Sequence, residues 1–207
     1  MTSRVVAIVF RLVLALASLG AMAFQLFAVH LPRGYSGINF FSYFTNLSNI
    51  VISVVFIVGA VRLIRSRPSS SADTAIRGAA VVYIALVGLI FNTLLRGADL
   101  SAINPTVNVI LHYVLPIAGV VDWLVWPPKN RLPFVVTLWW MIFPAAYAIF
   151  SVVRGAIDGI YPYPFFDPSS VGGYGAVALY CAVMVVAFFV LAVVIWSLGN
   201  WRARRAS

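Results

Sequence analysis

The sequence predicts an all-α polytopic membrane protein in which residues 1–207 form a single domain of six transmembrane helices. Hydrophobic residues make up 63% of the 207 residues and charged residues only 9%, with a mean hydropathy of +1.02. Soluble domains do not reach so apolar a composition. The apolar residues fall into six runs, each close to the ~20 residues that a helix needs to cross a bilayer. These runs cover residues 5–29, 40–64, 76–95, 105–126, 133–153 and 174–198.

The first run resembles a signal peptide at first sight. It follows Arg4 and contains the small-residue pattern Ala21-Met22-Ala23, which imitates a cleavage site. The apolar run nevertheless continues from Phe24 to Val29. We therefore expect an uncleaved first helix.

The second run opens on an unusually polar stretch, residues 39–49. On one helix, Ser42, Thr45, Asn46 and Asn49 fall at positions i, i+3, i+4 and i+7, so they share one face. Lipid cannot satisfy the hydrogen bonds of these side chains. We expect this face to point at other helices or at a polar cavity, and we predict that Asn46 and Asn49 contact a substrate there.

The fourth run places a histidine at the depth of Thr45. Thr45 lies six residues past Asn39 and His112 seven residues past Pro105, so each is expected ~10 Å below the same membrane boundary. In a sheltered pocket such a pair can act as nucleophile and general base. We predict Thr45 and His112 as catalytic residues. The alternative is that both side chains form hydrogen bonds that hold helices together.

Two residues of the fourth run flank His112 on its own helix face. Asn108 precedes it by one turn, and we predict that Asn108 contacts the substrate. Pro116 follows it by one turn and lacks the amide that would bond the His112 carbonyl. The helix is therefore expected to be loosened at His112.

The third and fifth runs end in arginines on the same predicted side as Thr45 and His112. Arg96 and Arg154 can hold a carboxylate or phosphate headgroup through paired hydrogen bonds, and Asn92 lies just inside Arg96. We predict all three as substrate-binding residues, with Asn92 a candidate oxyanion donor. The alternative for the arginines is contact with ordinary lipid phosphate, or pairing with the nearby aspartates.

The longest connection, residues 154–173, precedes the sixth run. Its central part, residues 161–167, reads Tyr-Pro-Tyr-Pro-Phe-Phe-Asp and is rich in aromatic residues and proline. We expect this segment to lie on the membrane surface and to act as a cover that limits the entry of water.

The placement of the basic residues predicts the orientation of the chain. Eleven of the fourteen Lys and Arg residues belong to one side, and only Arg33, Arg96 and Arg154 to the other. The positive-inside bias then puts both termini in the cytoplasm of a protein of the cell membrane. The net charge of +9 is expected to face lipid headgroups, because the arginines lie in short segments between spans, so membrane lipids rather than nucleic acid are the predicted partners.

The sequence predicts neither a metal nor a cofactor. It has two histidines and a single cysteine, Cys181, and it lacks the usual metal, dinucleotide and phosphate-binding motifs. Asp122 follows His112 by ten residues, ~15 Å along a helix, which is too far for its carboxylate to orient the imidazole. We expect Asp122 to play a structural part by pairing with Arg11 or Arg62.

Three separated motifs carry a resemblance that covers essentially the whole chain. They are FFSYFTNLSN (residues 40–49), His112-Tyr-Val-Leu-Pro116 followed by Asp122-Trp123, and the aromatic segment 161–167. Together they resemble a bacterial family of predicted six-helix integral membrane proteins of unassigned activity. More distantly, the chain is similar to the androgen-induced and androgen-dependent transmembrane hydrolases of animals, which cleave fatty acid esters of hydroxy fatty acids with a threonine and a histidine.

In the animal hydrolases the threonine follows a tyrosine by two positions, as Thr45 follows Tyr43, and the histidine precedes a proline, as His112 precedes Pro116. The resemblance therefore implies Thr45 as nucleophile and His112 as base. Asn46, Ser48 and Asn49 make the stretch more polar here than in those proteins. We predict an intramembrane hydrolase of a fatty acyl ester; the alternative is a non-enzymatic membrane carrier or binding protein for a lipid or small amphiphile.

Overall fold

The structure is a computed structural model that describes residues 2–95 and 101–206. Every regular element in these residues is helical, and six helices are long and apolar enough to cross a membrane, which confirms the predicted fold class. We number them in chain order as spans. They are Thr2–Arg33 (span 1), Phe44–Ile64 (span 2), Ser71–Thr93 (span 3), Pro105–Val125 (span 4), Val136–Asp158 (span 5) and Tyr174–Arg205 (span 6).

Spans 1 and 4 contain wider helical turns. Span 1 is α-helical over Thr2–Phe24, π-helical over Gln25–His30 and ends in a 3₁₀ turn, Leu31–Arg33. Span 4 is α-helical over Pro105–Val109, π-helical over Ile110–Val114 and α-helical again over Leu115–Val125. Shorter helices at Gly37–Phe41, Pro164–Phe166 and Pro168–Val171 lie in the connections, and the last helix continues from Tyr174 to Ala206.

The second span begins later than predicted. The short helix Gly37–Phe41 is followed by its C-cap residue Ser42, and Tyr43 is extended (φ −84°, ψ 130°) before the long helix begins at Phe44. The Tyr147 hydroxyl on span 5 donates to the Ser42 carbonyl at 2.8 Å, which gives that carbonyl a partner outside the helix. Ser42 therefore does not share a continuous helix with Thr45, and Thr45 lies in the first turn of span 2.

Both chain termini lie at the same end of the bundle, which we call the terminal end. The Trp126 indole at the end of span 4 donates to the Ser3 hydroxyl at 3.3 Å. At the end of span 6, the Arg202 guanidinium donates to the Leu124 carbonyl at 3.0 Å. Thr45 and His112 lie toward the opposite end. That the terminal end faces the cytoplasm stays a prediction of the arginine placement.

Span 3 is the central helix of the bundle. It packs against spans 2, 4, 5 and 6, and it is the most buried of the six candidate spans. Spans 3 and 4 approach closely because Gly88 on span 3 has no side chain. A Cβ added to Gly88 would lie 2.8 Å from Pro116 on span 4. Spans 1 and 2 pack together on one side of span 3, and spans 5 and 6 on another.

A buried ion triad ties spans 1, 3 and 4 together toward the terminal end. Asp122 is fully buried and accepts from Arg11 at 2.7 Å and from the Arg77 Nε at 2.9 Å. The predicted Asp122–Arg11 pair is thus present, and Arg77 is the second partner. Arg62, the other predicted candidate, pairs with Asp73 instead, at 2.9 Å.

Candidate active site

Thr45 owes its position to the break that precedes span 2. It is the second residue of the helix Phe44–Ile64, so its amide is one of the first-turn N–H groups that have no carbonyl partner within the helix. The side chain is 9% exposed and points into the bundle. A helix N-terminus also carries a partial positive charge, which favours negative charge that develops beside it.

His112 reaches Thr45 from the π-helical segment of span 4. Thr45 Oγ1 and His112 Nε2 are 3.4 Å apart, and both side chains are buried. This distance is at the long end of the hydrogen-bond range, and catalytic pairs commonly shorten in the substrate complex. The wide turn is consistent with the loosening expected from Pro116, and π-helical turns are frequent at functional sites.

The hydrogen bonds of His112 define which ring nitrogen is free to accept a proton. Nδ1 lies 3.2 Å from the backbone carbonyl of Asn108. A carbonyl oxygen only accepts, so Nδ1 carries the proton in the neutral ring and Nε2 is left as an acceptor facing Thr45. A backbone carbonyl thus takes the orienting part that an aspartate plays in many hydrolases. Phe91 stacks on the imidazole with ring centroids 4.0 Å apart, which fixes the plane of the ring.

Tyr163 is the site residue that sequence reasoning missed. It lies in the connection between spans 5 and 6, and its hydroxyl is 3.2 Å from the Thr45 amide nitrogen and 3.2 Å from Thr45 Oγ1. Burial raises the pKa of Tyr163 to about 12, so the phenol stays protonated at neutral pH and can donate. The aromatic composition of residues 161–167 marked the segment, but nothing in its pattern indicated which ring points inward.

These contacts form a directed chain of hydrogen bonds. The Tyr163 hydroxyl accepts from the Thr45 amide and can donate to Thr45 Oγ1. The Thr45 hydroxyl can then donate to His112 Nε2, while His112 Nδ1 donates to Asn108. Each proton has a single acceptor, so the chain orients the Thr45 proton toward a base. This arrangement suits attack by Thr45 Oγ1 on an electrophilic carbon.

Two cavities meet at Thr45. The first, which we call the polar cavity, has a volume of about 340 Å³ and contains His112 and many polar side chains in its wall. The second, the apolar cavity, has a volume of about 90 Å³ and lies among spans 3, 5 and 6. Four residues line both cavities: Thr45, Phe91, Leu95 and Tyr163. The Thr45 side chain therefore lies at the boundary between the polar and the apolar cavity.

The predicted asparagines have different surroundings. Asn46 lines the polar cavity and donates to the Phe40 carbonyl at 2.7 Å. Asn49 is fully buried, donates to the Thr45 carbonyl at 2.8 Å and accepts from Ser18 on span 1. It therefore stabilises the first turn of span 2 and ties it to span 1. Asn108 acts through its backbone carbonyl. Its buried side-chain oxygen is without a hydrogen-bond partner among the described residues.

The other predicted substrate-binding residues do not converge on Thr45 in the described part of the chain. Asn92 is exposed, and its side chain donates to the Gly88 carbonyl of its own helix. Arg154 pairs with Asp158 at 3.1 Å, and neither Asn92 nor Arg154 is in the wall of either cavity. Arg96 lies outside the described residues.

Comparisons with protein-family models, curated proteins and solved structures found no match to this chain. Within residues 2–95 and 101–206, no three His, Cys, Asp or Glu side chains are grouped so that they could hold a metal ion.

Proposed function

We propose that the protein is an intramembrane hydrolase of acyl esters, with Thr45 as nucleophile and His112 as general base. The observation that carries the proposal is the directed chain from Tyr163 through Thr45 and His112 to Asn108. Its members come from span 2, span 4 and the connection after span 5. The resemblance to threonine-dependent membrane hydrolases points to the same two catalytic residues.

The first half of the reaction forms an acyl-threonine. Thr45 Oγ1 bonds to the ester carbonyl carbon as its proton passes to His112 Nε2. The negative charge on the carbonyl oxygen develops beside the helix N-terminus. The Thr45 amide and the Tyr163 hydroxyl, which bond to one another and to Oγ1 before the substrate binds, can turn to donate to that oxygen. The ester C–O bond then breaks, and the leaving alcohol takes the proton from His112.

The second half regenerates the enzyme. Water gives a proton to His112 Nε2 and bonds to the acyl carbon, after which the Oγ1–carbon bond breaks and Thr45 regains its proton from His112. The products are a carboxylic acid and the alcohol. The polar cavity supplies a route for water to the acyl carbon, since His112 and Thr45 both line it.

A fluorophosphonate probe tests the nucleophile directly. In the purified protein, we expect Thr45 Oγ1 to displace fluoride and carry the phosphonyl group, which mass spectrometry of the labelled peptide locates. Thr45→Ala is expected to abolish labelling, and His112→Asn to slow it by about 10²–10⁴-fold, the usual worth of a general base.

Ser48→Ala is the matched control, because Ser48 is a fully buried hydroxyl one turn further along the same helix and outside both cavity walls. Labelling that persists in Thr45→Ala, or a phosphonyl group found on another residue, would refute the proposal. Tight binding of an ester without any turnover would favour the carrier function instead.

A further inference from the structure

The apolar cavity is the feature that the proposed chemistry leaves unassigned. We propose that it binds the acyl chain of the ester, and that the chain enters from the bilayer through an opening on the flank formed by spans 5 and 6. This inference rests on the proposed function, because it assigns the two sides of the scissile bond to the two cavities that meet at Thr45.

Apart from Thr45, where the two cavities meet, the wall of the apolar cavity offers little to a polar group. Among the described residues, it contains no charged side chain. Of its two tyrosines, Tyr147 already donates to the Ser42 carbonyl, and the Tyr163 hydroxyl is bonded to Thr45. An unpaired polar group placed there would lose its hydrogen bonds to water without replacement. A hydrocarbon chain is therefore the occupant that the wall favours.

The opening lies at the depth of the lipid acyl chains. Two exposed residues in the wall are Ala145 on span 5 and Val185 on span 6. Each is about ten residues from the start of its span, ~14–17 Å along the helix axis, which places it near the middle of a bilayer ~30 Å thick. Pro144 and Ala148, which have small side chains, also lie in the span 5 wall.

The size of the apolar cavity requires such an opening. Its volume is about 90 Å³. A buried cavity of about 150 Å³ takes up one benzene molecule, so only a few carbons fit inside the apolar cavity. The remainder of a long acyl chain must continue through the opening into the bilayer. The alcohol part of the ester then occupies the polar cavity, where Tyr43 and Asn46 can contact it.

Cys181 provides a way to block the apolar cavity without touching the catalytic residues. It is the only cysteine in the chain, it lies in the cavity wall on span 6, and it is partly buried. Protein in lipid nanodiscs is given either a long-chain ester or p-nitrophenyl acetate. We expect Cys181→Trp to slow hydrolysis of the long-chain ester by roughly tenfold or more, which corresponds to the binding free energy of about two buried methylenes. Hydrolysis of p-nitrophenyl acetate should be unchanged.

The matched control is Ala182→Trp, one position along the same helix, where the side chain is exposed and outside the cavity wall. It is expected to hydrolyse both esters like the unchanged protein. Fluorophosphonate labelling of Thr45 verifies that each variant is folded. Equal loss of both esters in Cys181→Trp, or unchanged hydrolysis of the long-chain ester, would overturn the assignment.

A binding measurement separates this inference from the hydrolase proposal. A long-chain ester with a photoreactive diazirine on its acyl chain is bound and irradiated, and the attachment points are mapped by mass spectrometry. Attachment to residues 144–148 and 181–188 supports the acyl site even if the ester is never cleaved. Attachment confined to span 1 and to polar-cavity residues that do not line the apolar cavity refutes the acyl site even if hydrolysis is observed.

Discussion

At the scale of single residues, Tyr163 decides how Thr45 is held. Its hydroxyl contacts both the amide and the hydroxyl of Thr45, and its ring stacks on Phe165 with centroids 5.1 Å apart and planes 8° from parallel. The ring is thus fixed by packing, while the hydroxyl serves the site. A phenol with a pKa raised by burial to about 12 keeps its proton throughout the physiological range.

Tyr163→Phe removes the hydroxyl and leaves the ring in place. We expect kcat to fall by about 10²–10³-fold, as for loss of one preorganised donor, with little change in KM. Steady-state hydrolysis of p-nitrophenyl acetate measures both constants. Tyr161→Phe, in the same loop and outside both cavity walls, is the control and should retain kcat. A change confined to KM would mean that Tyr163 only closes the site.

At the scale of elements, the π-helical turn of span 4 and the central span 3 position His112 together. Pro116 leaves the His112 carbonyl without its usual amide partner, and span 3 approaches this turn closely because Gly88 has no side chain. Phe91, on the next turn of span 3, then stacks on the imidazole. The distance between His112 and Thr45 therefore depends on how closely spans 3 and 4 pack.

Gly88→Ala tests this dependence. The added Cβ would lie 2.8 Å from the Pro116 ring and must push spans 3 and 4 apart. A displacement of about 1 Å at a catalytic group can cost about 10²-fold in rate, and we expect a loss of that order in the rate of fluorophosphonate labelling. Gly20→Ala is the control, since a Cβ there meets no atom within 4 Å. Equal labelling of the two variants would show that the close approach does not position His112.

Sequence reasoning succeeded where membrane physics constrains the chain strongly. Lipid requires long apolar helices, so the six spans could be counted from hydropathy. Thr45 and His112 do lie side by side, but the predicted depth of Thr45 assumed a continuous helix from Asn39, which the break at Ser42 interrupts. The break at Ser42 could not be predicted in this way, because it depends on a tertiary hydrogen bond from Tyr147. Tyr163 could not be predicted either, because a residue in a connection has no periodicity that shows which way its side chain points.

At the scale of the whole molecule, the Asp122 triad joins spans that are distant in the sequence. Arg11, Arg77 and Asp122 belong to spans 1, 3 and 4, and the aspartate is fully buried. Arg77 also donates to the carbonyls of Asp122 and Trp126 and lies over the Trp123 ring. Sequence reasoning anticipated Arg11 but not Arg77, because the choice between arginines near one boundary depends on how the helices pack around span 3.

Asp122→Asn tests what the triad contributes to the bundle. The change leaves the buried Arg11 and the partly buried Arg77 without a counter-ion, and breaking a buried pair in this way typically costs about 3–5 kcal/mol. We expect a marked fall in the thermal unfolding midpoint of the detergent-solubilised protein. Asp158→Asn is the control, because its pair with Arg154 is partly exposed and such pairs are worth about 0–1 kcal/mol. Similar midpoints for the two variants would show that neutral packing, and not the ion triad, holds spans 1, 3 and 4 together.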